Sequence, residues 1–479
     1  MRVEWYAAVV ALVGVALWLR GSVLGSTIAL LFFSLFGGGA AFIVGGASII
    51  PASFALVFLL AHVLLSMFSK SDHVNLGLKT NTWLGLFCFF GVLSAYIFPK
   101  IFVNLLSLPP LAASAHPVAF AAVPLHYSKQ NITTAIYMIG AFVASVCAGA
   151  ASADPESRQA LVRWAVVIAW IHIFFGLAGS MLQNIGGGAI IRIFRNATYA
   201  ELVETEAGGY SRIAGIFPEP SAYAGYAFGW LAFMTELWLR DVLPTLTMIT
   251  AGALTLMLIA CTSTSGYAAL ALYVLLLALR FFVAPRSLKV AKVIPVAMVM
   301  LTLATAALAT FAFVPHLGVT VGRALARLTV GKAETLSGQE RLFWARSGIN
   351  AFIKTWGVGV GAGSFRSSSL LLAILGSTGV IGTVLFFIHV FNILKPFRVE
   401  TYALPGEADN AIAVAAAWAA CAGLIPAMLS ASTPVPSYVF SVMGGLALGW
   451  RYSMLSGQVA QSADPVIRRG YVARAGRVI

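Results

Sequence analysis

One acid stands in a run of apolar and turn-forming residues, in the stretch Arg212, Ile213, Ala214, Gly215, Ile216, Phe217, Pro218, Glu219, Pro220, Ser221. Glu219 lies between two prolines, and two kinds of chemistry suit it there. With Pro220 in the first turn of a helix, the carboxylate would cap the positive end of the helix dipole. As a general base, it would take a proton from a substrate hydroxyl. An acid at the mouth of an apolar segment is costly and calls for a cationic partner, and Arg212 is the nearest candidate.

A second stretch, Ser337, Gly338, Gln339, Glu340, Arg341, Leu342, Phe343 and Trp344, predicts a short helix reaching Ile353. Alternating glycines follow, at Gly357, Gly359, Gly361 and Gly363, and lead to Arg366 and Ser367, Ser368 and Ser369. GxGxxG is not met, and Gly331–Lys332 lacks the first glycine of a phosphate-binding P-loop. The glycines instead predict tight turns and close backbone approach to a ligand, with amides offered to phosphate ahead of a helix at about residue 368.

Further cations stand at Arg192, Arg195, Arg323 and Arg327, the last two at the i, i+4 spacing of one helix face. Taken singly, each also reads as a surface cation facing solvent or lipid headgroups. Taken together they point to an anionic ligand, and the planar guanidinium fork suits a diphosphate. His116 and His126, with Tyr127 and Lys129 nearby, are candidate sugar contacts or bases. His62, His172 and His389 fall inside apolar runs without metal-ligand spacing and read as hydrogen-bonded packing residues. Cys88, Cys147, Cys261 and Cys421 show no CxxC spacing and read as small packing residues, while Trp83, Trp238 and Trp450 read as interface anchors.

The elements that must position these groups follow from composition. Of 479 residues 60% are hydrophobic and 10% charged, with a mean hydropathy of +0.92. That excludes a soluble enzyme, a disordered chain and a coiled coil. Continuous apolar runs, not alternating ones, exclude a transmembrane barrel and predict an all-α polytopic membrane protein. Runs at about 3–19, 22–47, 48–68, 82–98, 131–151, 161–180, 217–239, 243–260, 264–283, 291–314, 368–391, 409–429 and 436–452 give about 12–14 spans at roughly 20 residues each. Glycines 37–39, 45 and 46 leave the first 50 residues open between two long helices and three short ones.

Lys70, Lys79, Arg158, Arg163, Arg280, Arg286, Lys289, Lys292, Lys395 and Arg398 fall on one side if the spans alternate, which marks it as cytoplasmic. The net charge of +14 then divides. On the opposite side, twelve Lys or Arg between Lys100 and Arg366 face six acids, Glu201, Glu204, Glu206, Glu219, Glu334 and Glu340. Such an outer surplus needs a reason, and an anionic substrate is one. No basic run interleaved with aromatics suggests nucleic acid. The expected organisation is membrane helices over 1–98, a first outer loop 99–130, central membrane helices 131–314 including an outer loop 181–216, a large outer loop 315–367, C-terminal membrane helices 368–455 and a basic cytoplasmic tail 456–479.

At these motifs the chain resembles the O-antigen ligase and Wzy-type polysaccharide polymerase family. The resemblance rests on Arg212 to Ser221, on Ser337 to Arg341 with Trp344, on Gly357 to Ser368, and on Leu375-Gly-Ser-Thr-Gly379-Val-Ile-Gly382. Phe217-Pro-Glu-Pro-Ser221 is most similar to the exopolysaccharide polymerase branch. The ligase branch carries a His-Asn pair about a dozen residues before the glycine corresponding to Gly379, where this chain has Ser368 and Ser369. Many relatives also carry an acid where Ser377 stands.

The resemblance implies a GT-C-like membrane glycosyltransferase with helical outer loops, in the bacterial inner membrane with its active site facing the periplasm. It would join undecaprenyl-diphosphate-linked oligosaccharide repeats into a polymer, with no metal, nucleotide sugar or other cofactor. Its partners would be that donor and acceptor, membrane lipids, a chain-length regulator and export machinery, and no nucleic acid. The implied catalytic residues are Glu219, Arg212, Arg341 and Arg366, with substrate contacts from Tyr210, Ser221, Arg192, Arg195, Arg323, Arg327, Glu340, His126 and Ser368. Two other readings stand beside it: ligation of a finished glycan to lipid A core or protein, for which the same arginines would serve, and transport of the lipid-linked oligosaccharide by a flippase.

Overall fold

The computed structural model describes residues 1–68, 71–111, 120–154, 156–199, 206–207, 210–283, 292, 336–395 and 408–461. In chain order these form β1 (Arg2–Val3), α1 (Trp5–Leu19), α2 (Val23–Phe33), β2 (Phe42–Val44), β3 (Ala47–Ile49), α3 (Pro51–Ser66), α4 (Ser71–Thr80) and α5 (Thr82–Ile101). Next come β4 (Ser107–Leu108), β5 (Val123–Pro124), α6 (Lys129–Ala151), α7 (Ser157–Asn184), α8 (Gly188–Phe194), β6 (Glu206–Ala207) and β7 (Tyr210–Ser211). The remaining helices are α9 (Pro220–Leu239), α10 (Pro244–Ala260), α11 (Thr264–Val283), α12 (Leu336–Lys354), α13 (Leu370–Leu394), α14 (Ala408–Ser430) and α15 (Tyr438–Gln461). The run at 291–314, His116, Arg323 and Arg327 lie outside the described residues, as does the tail beyond 461.

The chain is predominantly helical and apolar, as an all-α membrane protein requires. Thr82–Ile101, Lys129–Ala151, Ser157–Asn184, Leu370–Leu394 and Asn410–Ser430 are long and apolar enough to cross a membrane. Large apolar side chains such as Phe89, Ile136, Phe174, Leu256 and Leu275 stand exposed on helix outsides. A soluble protein avoids such surface, whereas hydrocarbon accepts it. Small residues close the interior. α9 packs along α14, where a Cβ on Gly423 would stand 3.6 Å from the Gly229 Cα, an approach only small residues permit.

The first 50 residues hold two short helices and a β-hairpin, neither two long helices nor three short ones. The apolar run at 22–47 ends as a helix at Phe33, because Gly45 and Gly46 (φ 58° and 85°) supply the two-residue turn of a hairpin pairing Val44 with Ala47. β1 adds to that hairpin, and the Asn196 side chain bonds both Ala40 and Glu4, so the 1–4, 40–49 and 193–198 segments share one end of the bundle. The loop 99–130, expected to be helical, carries the β4–β5 hairpin in its described part. Trp450, expected at an interface, is buried with its indole N–H donating to Ser157 Oγ at 2.8 Å.

The histidines divide. His62 bonds Ser26 as expected (3.2 Å), but the ring nitrogens of His172 and His389 have no hydrogen-bond partner among the described residues. His172 is held instead by stacking on Tyr223 at 4.0 Å between ring centres.

The element that most constrains the fold is an interrupted helix. Gly379 (φ 61°, ψ −156°) breaks α13, and the alternating-glycine strap 357–363 replaces the bonds lost there. Val360 N–H donates to Gly376 O and Gly361 N–H to Ser377 O, while Val380 N–H donates to Gly357 O, each at 2.9 Å. Inside an apolar segment every backbone polar group needs such a partner, since each unsatisfied one costs several kcal/mol. The strap amides are therefore consumed by the protein. Gly359 N–H goes to Thr355 Oγ1 (2.8 Å) and Ala362 N–H to Ser94 Oγ (3.3 Å), so these amides do not form the phosphate cradle that the glycine spacing predicts.

Gly359 (φ 91°) has no room for a side chain: a Cβ would lie 2.6 Å from Ser377 backbone atoms and 2.8 Å from Gly379 N. Gly359→Ala should cost about 1–2 kcal/mol for the left-handed backbone and about 1–3 kcal/mol for the clash. Gly252 in α10 has open space around it, and Gly252→Ala should be neutral or stabilising. Thermal midpoints of the two purified variants check this, and equal midpoints would contradict it.

Candidate active site

Glu219 occupies the N-cap position of α9 with extended backbone (φ −149°, ψ 159°), and Pro220 is the first helical residue, as the spacing predicts. Its carboxylate makes no capping bond to the helix amides. Oε1 instead accepts from the Ser221 hydroxyl, and Oε2 faces Arg341 Nη2 at 4.0 Å. The Glu219 side chain is 43% exposed and that of Arg341 29%. A pair so long and so wet contributes about 0–1 kcal/mol. It does not hold the fold together, and both groups are open to a ligand.

The loop preceding Glu219 is rigidly seated. Ile213, Ala214, Ile216 and Phe217 are buried, and the guanidinium of Arg195 grips the Gly215 carbonyl with Nε at 3.1 Å and Nη2 at 2.7 Å. Burial pulls that guanidinium down to about 10, which leaves it charged at neutral pH. Arg195 therefore seats the loop that leads to Glu219. Arg212 is anchored from the other side. Its Nε donates to Thr262 Oγ1 (3.1 Å) and its Nη2 to the Thr262 carbonyl (2.8 Å), in the link between α10 and α11.

The third arginine arrives on the strap. Arg366 stacks on Trp344 of α12, 4.2 Å from the ring centre, in cation–π geometry. Its backbone N–H donates to Pro109 O at 2.9 Å, and its buried Nε has no partner among the described residues. Ser368 joins strap to α12 by donating to the Arg341 carbonyl at 2.6 Å.

Electrostatics tie the groups together. Burial draws the Arg212 guanidinium below its usual value, with Arg341 reinforcing and Glu219 opposing the shift. Burial does the same to Arg366, opposed by Glu219 and Glu340 and reinforced by Arg341. Three cations thus face two carboxylates, a net positive cluster with exposed members, which is electrostatically suited to an anion.

Of the residues expected in the site, Glu219, Arg212, Arg341, Arg366, Glu340, Ser221 and Ser368 come together in this cluster. Arg192 is exposed on α8, and His126 is exposed with Nδ1 against Pro124 O at 2.7 Å; no described contact brings either to Glu219. Tyr210 lies on β7, and its side chain is outside the described residues, as are Arg323 and Arg327.

Sequence reasoning missed Thr262 as the anchor of Arg212, since they lie fifty residues apart. It also missed a second charge cluster, in which Glu236 pairs with Arg240 one turn on and with Arg280 Nη1 at 2.6 Å. That cluster is buried toward the other end of α9, roughly 25 Å from Glu219 along the helix at 1.5 Å per residue. No protein-family model, curated protein or solved structure matches the chain.

Arg195→Met removes two charge-assisted bonds to a buried carbonyl, together worth about 1.5–3 kcal/mol. It should lower the thermal midpoint by several degrees, while Arg192→Met should leave it unchanged. Equal midpoints for the two variants would show that Arg195 does not seat the loop.

Proposed function

We propose that the protein is a membrane glycosyltransferase that polymerises lipid-diphosphate-linked oligosaccharide repeats. The observation that carries this reading is the open pairing of one uncapped carboxylate with three arginines brought from three separate segments. An acid within reach of a diphosphate cradle is what transfer of a sugar from a lipid diphosphate to a hydroxyl requires.

In this mechanism Ser221 holds Oε1 of Glu219, leaving Oε2 to accept the proton of the acceptor hydroxyl. The hydroxyl oxygen bonds to the anomeric carbon of the donor as the bond from that carbon to the diphosphate oxygen breaks. The diphosphate departs with the bonding electrons, and the charge gathering on it is met by Arg341, Arg366 and the remaining N–H groups of Arg212. Trp344 keeps the Arg366 guanidinium flat, and Thr262 aims Arg212. Arg212 and Arg366 are thus held in place before the charge appears.

Supporting the polymerase over a ligase are Ser368 and Ser369, which stand where the resembling ligases carry His-Asn. Supporting an enzyme over a transporter is the placement of the cluster in loops and at a helix start, whereas transporter sites lie on broken helices near mid-membrane.

The full-length protein in proteoliposomes, given one species of lipid-linked repeat, should make a ladder of products. A ligase would leave that single species unchanged without a second acceptor, and a flippase would only move it. Glu219→Gln should abolish the ladder at wild-type protein level; a normal ladder from this variant would rule out the base. Arg341→Lys keeps the charge but loses the fork, and should slow the ladder by about tenfold or more.

A further inference from the structure

A cavity of about 720 Å³, outside the arginine cluster, falls within the range of about 300–1,000 Å³ typical of ligand sites. Its walls differ in kind from the cluster: no charged side chain lines it among the described residues. Four tyrosines, Tyr137, Tyr199, Tyr226 and Tyr438, supply aromatic surface. Between them stand Gln130, Thr133, Thr134, Thr198 and Thr433. A wall that combines aromatic rings with hydroxyl and amide side chains suits a ligand that is apolar on its faces and polyhydroxylated on its edges, as a pyranose is. A lipid tail would leave the polar side chains of Gln130 and Thr433 without partners, and a diphosphate would find no cation.

No cluster residue lines the cavity, but backbone bonds join the two through residues next to the lining. Arg366 N–H bonds Pro109, two residues from the lining Leu111, and Ser367 N–H bonds Ser432, next to the lining Thr433. Asn131, between the strap and the lining Gln130, donates to Ala362 O (2.8 Å) and Ser364 Oγ (2.9 Å). Tyr226 lies two turns beyond Glu219 on α9, on the same helix face, roughly 10 Å along the axis. A molecule with its diphosphate at the arginines would therefore reach this cavity with its sugars.

Several of the polar walls are already tied in place. Tyr137 donates to Ser48 O (3.1 Å), Tyr199 to Gly37 O (2.8 Å) and Tyr226 to Leu31 O (3.2 Å), which fixes their rings. The side chains of Gln130 and Thr433 have no hydrogen bond among the described residues and are free to bind a ligand.

We infer that this cavity is a glycan subsite, separate from the diphosphate cluster, for a short run of uncharged sugars of the repeat unit. The inference rests on the polymerase reading, and the test separates the two. A strain lacking the protein supplies lipid-linked repeat, and mild acid releases its lipid-free oligosaccharide. Calorimetry then measures this glycan, and separately farnesyl diphosphate, against the full-length protein in nanodiscs.

Thr433→Trp fills the cavity, and Gln130→Leu with Thr433→Val removes the free polar groups at similar volume. Each should weaken the glycan by about tenfold, the effect of losing one or two hydrogen bonds, and leave farnesyl diphosphate within about twofold. Unchanged glycan affinity in both variants would overturn the subsite, as would equal loss of both ligands in the volume-conserving variant. Binding there of a repeat made of carboxylated sugars alone would overturn the assignment to uncharged sugars. A null strain that accumulates no lipid-linked oligosaccharide would overturn the polymerase reading itself.

Discussion

The broken hydrogen-bond ladder of α13 is the constraint on which the rest of the structure depends. Where Gly379 leaves the helical conformation, carbonyls at Gly376 and Ser377 lose their helical partners, and in an apolar surrounding they must find others. The strap 357–363 meets that demand, and in doing so it is fixed in place. Everything beyond it inherits the fixed position. Arg366 lies three residues past the strap, Ser368 ties it back to α12, and the bonds to Pro109 and Ser432 bind two further loops to the same point. A backbone problem inside the bundle thus becomes the means of holding an arginine at its end.

Charge is sparse in this chain and is used in two contrasting ways on one helix. At the start of α9, Glu219 keeps a long, partly exposed separation from Arg341, too weak to stabilise the fold and open to exchange for a ligand. Toward the far end, Glu236 is fully buried and held by both Arg240 and Arg280, the latter stacked 4.5 Å from the Trp418 ring centre. Removing one partner there would strand a buried charge, a cost of about 3–5 kcal/mol. The second cluster is part of the scaffold. The first is held by no such pairing and stays open to solvent.

How much of this was legible in the sequence depended on whether a residue's role was local. Pro220 at the first helical position, the helix around Ser337 and the five long apolar helices follow from nearest-neighbour rules and appear where expected, whereas the run at 22–47 breaks into a helix and a hairpin. Roles set by distant partners were not legible. Arg195 reads like any loop cation until the Gly215 carbonyl is placed against it, and the glycine spacing suggests free amides until α13 is seen to be broken beside them. Trp450 looks like an interface residue by position alone, and only its bond to Ser157 shows it to be core. The candidate site was visible as a set of residue types, and the anchoring of Arg195 on Gly215 and of Arg212 on Thr262 was not.

The claim at the centre is that Arg212, Arg341 and Arg366 form one diphosphate site facing Glu219. Phosphorus NMR of farnesyl diphosphate titrated with the full-length protein in nanodiscs tests it most directly. One saturable site is predicted, with both phosphorus resonances shifted, and with affinity reduced in Arg366→Lys and unaltered in Arg192→Lys. Absence of saturable binding, or equal affinity in wild type and Arg366→Lys, would contradict it.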